Sequence, residues 1–286
     1  MKARSIGVLA IVHSLLAAAA CALDRQVPWG IFVMNRDGSM VRRVVHIEAF
    51  PGLAAPRWSH DGRRLVFEAR GTQPGRALVI DADGRNLLDL GAGAVPDWSP
   101  DDKQVIFEVP TAGRTTVWVQ NADGKGNSWL SAGTAPRWSP DGSQIAICAP
   151  LRVLDVVSGE YQNVFVETDN VDETTGCDWS PDGKRLAAVV KRGDGRELVL
   201  TSAKRGARAL QVRLRAQLDG APAWSPDGKQ FAVTIYDPKL KARRIHVLEV
   251  DGDDPPVLIP GQEGDNRDPA WSPDGQQLAF SGTRPP

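Results

Sequence analysis

Six closely related segments, at residues 55–62, 95–102, 135–142, 176–183, 221–228 and 268–275, constrain this chain more than any other feature. The third, Ala135-Pro136-Arg137-Trp138-Ser139-Pro140-Asp141-Gly142, is a complete copy. The repeated tryptophans Trp58, Trp98, Trp138, Trp179, Trp224 and Trp271 are separated by 40, 40, 41, 45 and 47 residues. That period is the span of one four-stranded propeller blade rather than of a helical hairpin.

Each unit reads as four short strands. In the first unit these are residues 56–59, 63–68, 77–81 and 86–90, rich in branched and aromatic side chains and separated by turn residues. The Ser-Pro-Asp-Gly element predicts a tight hairpin, because proline presets φ, the short polar side chains bond the local backbone and glycine accepts a left-handed conformation. His60 in place of proline and Asp102 in place of glycine depart from the pattern, and each is expected to loosen its turn. A second turn, Asp81-Ala82-Asp83-Gly84, recurs as Asn121-Ala122-Asp123-Gly124 and as Asn35-Arg36-Asp37-Gly38.

The last of these precedes every tryptophan repeat. The chain therefore starts with an outer hairpin and ends with an inner one at residues 271–281. Pairing the two completes a blade. The expected fold is an all-β, six-bladed β-propeller of four-stranded blades, closed by pairing the N-terminal outer strands with the C-terminal inner hairpin, which removes open sheet edges. At one blade position in every unit, the six indoles read as packing between adjacent sheets, with each N–H able to reach a neighbouring carbonyl.

Residues 1–22 form a separate element. Lys2 and Arg4 give a basic start, residues 6–20 are apolar, and Ala20-Cys21-Ala22 is a small-x-small cleavage pattern, so a secretory signal peptide at 1–22 and one propeller domain at 23–286 are expected. Cleavage that leaves Cys21 as a lipidated N-terminus is the disfavoured alternative, because 18–21 lack the usual leucine. No later stretch resembles a membrane span. Export places Cys148 and Cys177, which lie in successive repeats, in an oxidising compartment. A disulfide between neighbouring blades and two buried free thiols are both open readings, since sequence does not fix their separation.

With 34 Lys plus Arg against 35 Asp plus Glu, nothing in the charge balance suggests nucleic acid. There is no Gly-x-Ser-x-Gly elbow, and no glycine-rich turn opens a helix. His46, His60 and His246 are too few and too scattered for a propeller metal site. The Asp-x-Asp-Gly turns lack the closing glutamate of a calcium loop. No catalytic residue, metal or cofactor is implied.

The motif Pro-x-Trp-Ser-Pro-Asp-Gly-x-x-x-Ala/Val-Phe, alternating with strands that end in Asp-Gly, resembles the TolB-type β-propeller family over about residues 29–282. The resemblance implies a periplasmic scaffold whose propeller docks another envelope protein. TolB also carries an α/β domain ahead of its propeller; here only a few residues separate the signal from the first strand, and no such domain is expected.

Both tight hairpins of each blade should emerge on one face and the irregular links on the other, where recognition is expected. The residues just before the tryptophans, Arg57, Asp97, Arg137, Asp178, Ala223 and Ala270, should line the channel mouth on that irregular face. Arg57, Asp97, Arg137 and Asp178 alternate in charge: they read either as inter-blade ion pairs or as a polar ring that orients a peptide. The resulting expectation is a monomeric, non-enzymatic, periplasmic or secreted scaffold that binds an envelope protein or peptide. A glycan-binding or glycan-degrading propeller is the alternative, against which the channel reads as poor in aromatics, with Trp129 and Tyr236 as the available platforms.

Overall fold

The computed structural model describes residues 28–71, 75–111, 113–164, 172–203 and 211–284. The expected signal peptide at 1–22, its expected cleavage site and Cys21 lie outside the described residues. Where described, the chain is strands and turns, and it forms six four-stranded antiparallel sheets. No helix among these residues is long and apolar enough to cross a membrane.

Blade 1 comprises β3 (Gly52–Trp58), β4 (Arg64–Arg70), β5 (Arg76–Asp81) and β6 (Leu88–Ala92). Blade 2 comprises β7 (Ala94–Trp98), β8 (Gln104–Thr111), β9 (Arg114–Asn121) and β10 (Ser128–Ala132). Blade 3 holds β11 (Thr134–Trp138), β12 (Gln144–Ala149), β13 (Leu151–Asp155) and β14 (Tyr161–Asn163); blade 4 holds β15 (Glu173–Trp179), β16 (Arg185–Arg192), β17 (Gly195–Ser202) and β18 (Gln211–Arg215). Blade 5 runs from β19 (Leu218–Trp224) through β20 (Gln230–Asp237) and β21 (Ala242–Glu249) to the short β22 (Val257–Leu258). Blade 6 is the composite one. Its inner strands β23 (Asn266–Trp271) and β24 (Gln277–Thr283) pair with β1 (Trp29–Asn35) and β2 (Arg42–Val45). β1 and β24 pair in unbroken register from Trp29 opposite Thr283 to Asn35 opposite Gln277, so both ends of the ring are locked into one sheet.

Six hydrophobic cores lie between the blades, each drawn from two neighbours. Trp98 packs with Val66 and Val79 of blade 1 and Phe107 of blade 2, and Trp224 with Leu198 of blade 4 and Phe231 of blade 5. The tryptophans therefore close the inter-sheet seams, which is the role large aromatics fill best.

Every tight turn repeats one hydrogen-bond pattern. In blade 3, Ser139 Oγ donates to Asp141 Oδ1 at 2.7 Å and accepts from Gln144 N at 2.9 Å, while Gly142 adopts φ 73°. The two departures from the pattern meet each other. Histidine restores a backbone N–H that proline lacks, and Asp102 of the next blade accepts it: its Oδ1 lies 2.7 Å from His60 N, and its Oδ2 is 2.8 Å from Asp61 N. Asp102 takes the left-handed conformation of the missing glycine, at φ 57°. Neither turn is loosened, because each substitution satisfies the other.

Two further differences follow from backbone geometry. The first strands begin earlier than their branched residues suggest, and a left-handed residue, Ala55, Val95, Ala135 or Asp268, sits inside each of β3, β7, β11 and β23, where in β3, β7 and β23 the pairing register shifts. Several links on the irregular face are also tight: Pro150 alone joins β12 to β13, and Gly193-Asp194 joins β16 to β17.

Cys148 of β12 and Cys177 of β15 form a disulfide between blades 3 and 4, with Cα atoms 5.6 Å apart and both residues fully buried. It closes a sequence separation of 29 residues. Replacing both cysteines by alanine is expected to lower the unfolding free energy by about 3 kcal/mol. Urea denaturation checks this, and reductant should then destabilise only the parent protein.

The turn aspartates Asp61, Asp101, Asp141, Asp182, Asp227 and Asp274 are all held below the ordinary aspartate value of 3.8, chiefly by the serine hydroxyl two residues earlier. A lowered folded-state pKa contributes stability that is complete above the unfolded value and is lost as pH falls through the folded one. Thermal midpoints should thus fall with acid below about pH 4. Ser139→Ala and Ser180→Ala together should make that acid limb shallower.

Candidate binding site in the central channel

The inner strand of each blade is a sheet edge that faces the channel, so its outward N–H and C=O groups have no ladder partner. The residues before the tryptophans supply several of the missing bonds. Asp97 Oδ2 accepts from Trp138 N at 2.9 Å, and Asp178 Oδ2 from Trp224 N at 2.8 Å. In the other direction, Trp98 Nε1 donates to the Arg57 carbonyl at 3.2 Å and Trp179 Nε1 to the Arg137 carbonyl at 3.1 Å. Trp58, Trp138, Trp224 and Trp271 bury Nε1 without an acceptor in the protein.

The four charged residues do not stand at a mouth. They lie between two cavities: each is the penultimate residue of its strand, Asp97 and Asp178 line the turn-side cavity, Arg137 lines the loop-side one and Arg57 lines both. Nor do they pair only with adjacent blades. Arg57 Nη1 lies 4.0 Å from Asp178 Oδ1, and blades 1 and 4 are diametrically opposite, so this ion pair spans the channel.

The charged barrier separates two cavities. On the tight-turn side a funnel of about 340 Å³ is lined by all six repeat tryptophans, by prolines, and by Arg57, Asp97 and Asp178. The channel is thus not poor in aromatics on this side. Two of the indoles have a face covered by an arginine, with Arg64 4.6 Å above Trp98, itself 1% exposed, and Arg185 5.1 Å above Trp224. His60 also stands at this funnel, its Nδ1 3.1 Å from Asp102 Oδ1.

On the loop side a smaller cavity of about 140 Å³ is lined by Arg57, Arg70, Arg137 and Asp268 among small residues such as Ala55, Gly176 and Ala221. The ring is therefore divided by sign: its aspartates face the funnel, Arg137 faces the loop side, and Arg57 reaches both. Burial is the first cause that pushes the Arg137 guanidinium down to about 10, with Arg57 as the second. Burial likewise raises the carboxyls of Asp178 and Glu108.

Beyond the channel, Tyr236 lines a loop-side groove with Arg196, Arg215 and Arg243, and Trp129 stands 58% exposed on the outer strand of blade 2. These two residues are far apart on different blades. Among the described residues no three His, Cys, Asp or Glu side chains converge to hold a metal ion.

A closed six-bladed β-propeller whose blades are stitched by Trp-Ser-Pro-Asp-Gly turns is the class that this fold defines. Residues 151–285 match the family model described as TolB beta propeller domain, and the chain has a TolB-type propeller fold. It is similar in structure to TolB from Acinetobacter baumannii, with a TM-score of 0.72 and 17% identity over 95% of this chain and 74% of that one. A structure assigned to TolB from Agrobacterium tumefaciens gives 0.71 and 18% over 91% and 99%. An oligogalacturonate lyase from Vibrio parahaemolyticus is similar at 0.57 and 10% over 88% and 83%. Likeness at such identities is likeness of fold. No curated protein matches the sequence significantly.

The aspartates' part in the site is a matter of backbone satisfaction, and it can be measured. Asp97→Ala should cost about 1 kcal/mol or somewhat more in urea denaturation, because the part-buried Trp138 N–H loses its acceptor. Asp97→Asn keeps an acceptor oxygen at the same place and should cost markedly less.

Proposed function

We propose that this chain is an exported, non-enzymatic scaffold of the cell envelope, cleaved after a signal at residues 1–22, whose single propeller domain at 23–286 binds a segment of another protein at the loop side of its channel. The observation that carries this reading is the division of the channel by the Arg57–Asp178 ion pair into two pockets of opposite character. Such a channel accepts the tip of a side chain or chain end and passes nothing through. Rigid small-residue walls on the loop side, around Ala55, Gly176 and Ala221, favour an extended segment over a folded domain. Arg57 and Arg137 are the residues proposed to face the partner, while Asp97 and Asp178 support them from the opposite side.

Glycan degradation is disfavoured by the chemistry of the side chains. One solved propeller of similar fold is an oligogalacturonate lyase in complex with manganese. Here His46, His60 and His246 belong to blades 6, 1 and 5 respectively, and they do not form a ligand set. Sugar stacking in the funnel is disfavoured at Trp98 and Trp224, whose rings already carry Arg64 and Arg185.

A photo-crosslinking residue placed at Tyr236 on the loop side and, separately, at His60 on the turn side tests the reading in intact cells. The expected result is a defined adduct with an envelope protein from position 236 alone, in the periplasmic fraction, with the mature chain beginning near residue 23. Adducts from position 60 alone, or a chain retained in the cytoplasm, would refute it.

A further inference from the structure

The charges that line the loop-side cavity differ in how completely they are partnered. Arg70 is held in a fork by Glu68, with Nε 2.9 Å from Oε1 and Nη2 3.1 Å from Oε2. Asp268 accepts from Ser281 Oγ at 2.9 Å and from Ala55 N at 3.2 Å, and the guanidinium of Arg267 lies 3.9 Å away. Glu108, nearby, accepts from Ala135 N at 2.6 Å. Arg57 has its cross-channel partner at 4.0 Å.

Arg137 stands apart from all of these. It is 3% exposed and lines the cavity, its Nη1 donates only to the carbonyl of its own neighbour Pro136, and its Nε is buried without any partner. Asp97, Asp178 and Glu108 act on it through their charge, but none of them makes a hydrogen bond or close ion pair with it: Asp97 and Asp178 turn Oδ2 to the N–H of a tryptophan in the next blade, and Asp178 Oδ1 faces Arg57. A guanidinium taken out of water and left with an open N–H is a costly arrangement unless something arrives to complete it. What completes it best is a carboxylate, whose two oxygens match the Nε and Nη donors of one fork.

We propose that the loop-side cavity is a carboxylate-binding site in which Arg137, supported by the charge of Arg57, receives a carboxylate presented on a short stem. The cavity of about 140 Å³ is of a size for such a group and not for a larger portion of a partner. The walls of Ala55, Ala135, Gly176 and Ala221 add no competing hydrogen-bond side chain. Two sources present this chemistry: the C-terminal carboxylate of a chain, or an acidic side chain within one. The proposal rests on the scaffold reading, and it names the chemical group by which the partner is held.

Isothermal titration of the mature chain at fixed ionic strength tests it with four probes: acetate, acetyl-Gly-Gly-Ala with a free C-terminus, the same peptide amidated, and acetyl-Gly-Glu-Gly-amide. The expected result is saturable binding of acetate and of at least one carboxylate-bearing peptide, with none of the amidated control; which peptide binds tells the two sources apart. Arg137→Lys retains charge but not the fork and should weaken binding by roughly tenfold. Arg137→Met should abolish it while the circular dichroism and thermal transition of the ring are kept. Should the Met variant fail to fold, Arg137→Lys and Arg57→Gln carry the comparison, the latter weakening binding without abolishing it. No carboxylate binding at millimolar concentration, equal binding of the amidated peptide, or unaltered binding by Arg137→Lys would each overturn the proposal. Crosslinking from position 236 is independent of this outcome: adducts without carboxylate binding would leave the scaffold reading standing and remove this one.

Discussion

A propeller has no outer seam to hide, but it has six inner ones. The edge strand of every blade points unpaired backbone groups into the channel, and an unpaired edge is a standing liability for a sheet. In this chain the problem is solved from the neighbouring blade. Aspartate carboxylates accept from tryptophan backbone N–H groups, tryptophan indoles donate to arginine carbonyls, and Glu108 and Asp268 accept from the amides of Ala135 and Ala55. The same bonds that satisfy the edges set the angle between blades, so the ring's closure and its polar interior are one feature. The disulfide belongs to this set: Cys148 occupies in blade 3 the position of Glu108 in blade 2, and its bond to Cys177 ties successive blades by a covalent route.

The polar interior also explains why the channel is divided. Groups recruited to satisfy backbone must reach toward the strand they serve, and Asp97 and Asp178 do so on the turn side. An arginine at the same position finds no backbone acceptor beyond its immediate neighbour, and Arg137 is left facing the loop side. Opposite faces of the disc therefore present opposite charge at depth, without any large net charge on the protein.

Much of this was legible in the sequence. Six in-register tryptophans specify blade number and register, and the stray outer hairpin ahead of the first repeat specifies how the ring closes. The position of the charged ring was not legible, because an Ala-Pro pair reads as extended chain, whereas Ala55 and Ala135 are left-handed. The cysteine pairing rested on a distance that only the fold supplies. The sorting of arginine from aspartate across the channel depends on which backbone atoms each side chain can reach, and composition at alternating positions carries no trace of that. Nor does the sequence tell that the tryptophans, although packed in the seams, also line a funnel.

His60 and Asp102 look in isolation like two errors of copying in an otherwise regular array. Together they amount to a lock between blades 1 and 2, since the carboxylate of one replaces what the proline of the other would have made unnecessary. A propeller built of interchangeable units could be shortened, lengthened or shuffled at any seam. This one has a seam at which the two departures are bonded to each other, so blades 1 and 2 are matched as a pair, and the ring carries a fixed reference point that its repeat pattern alone does not possess.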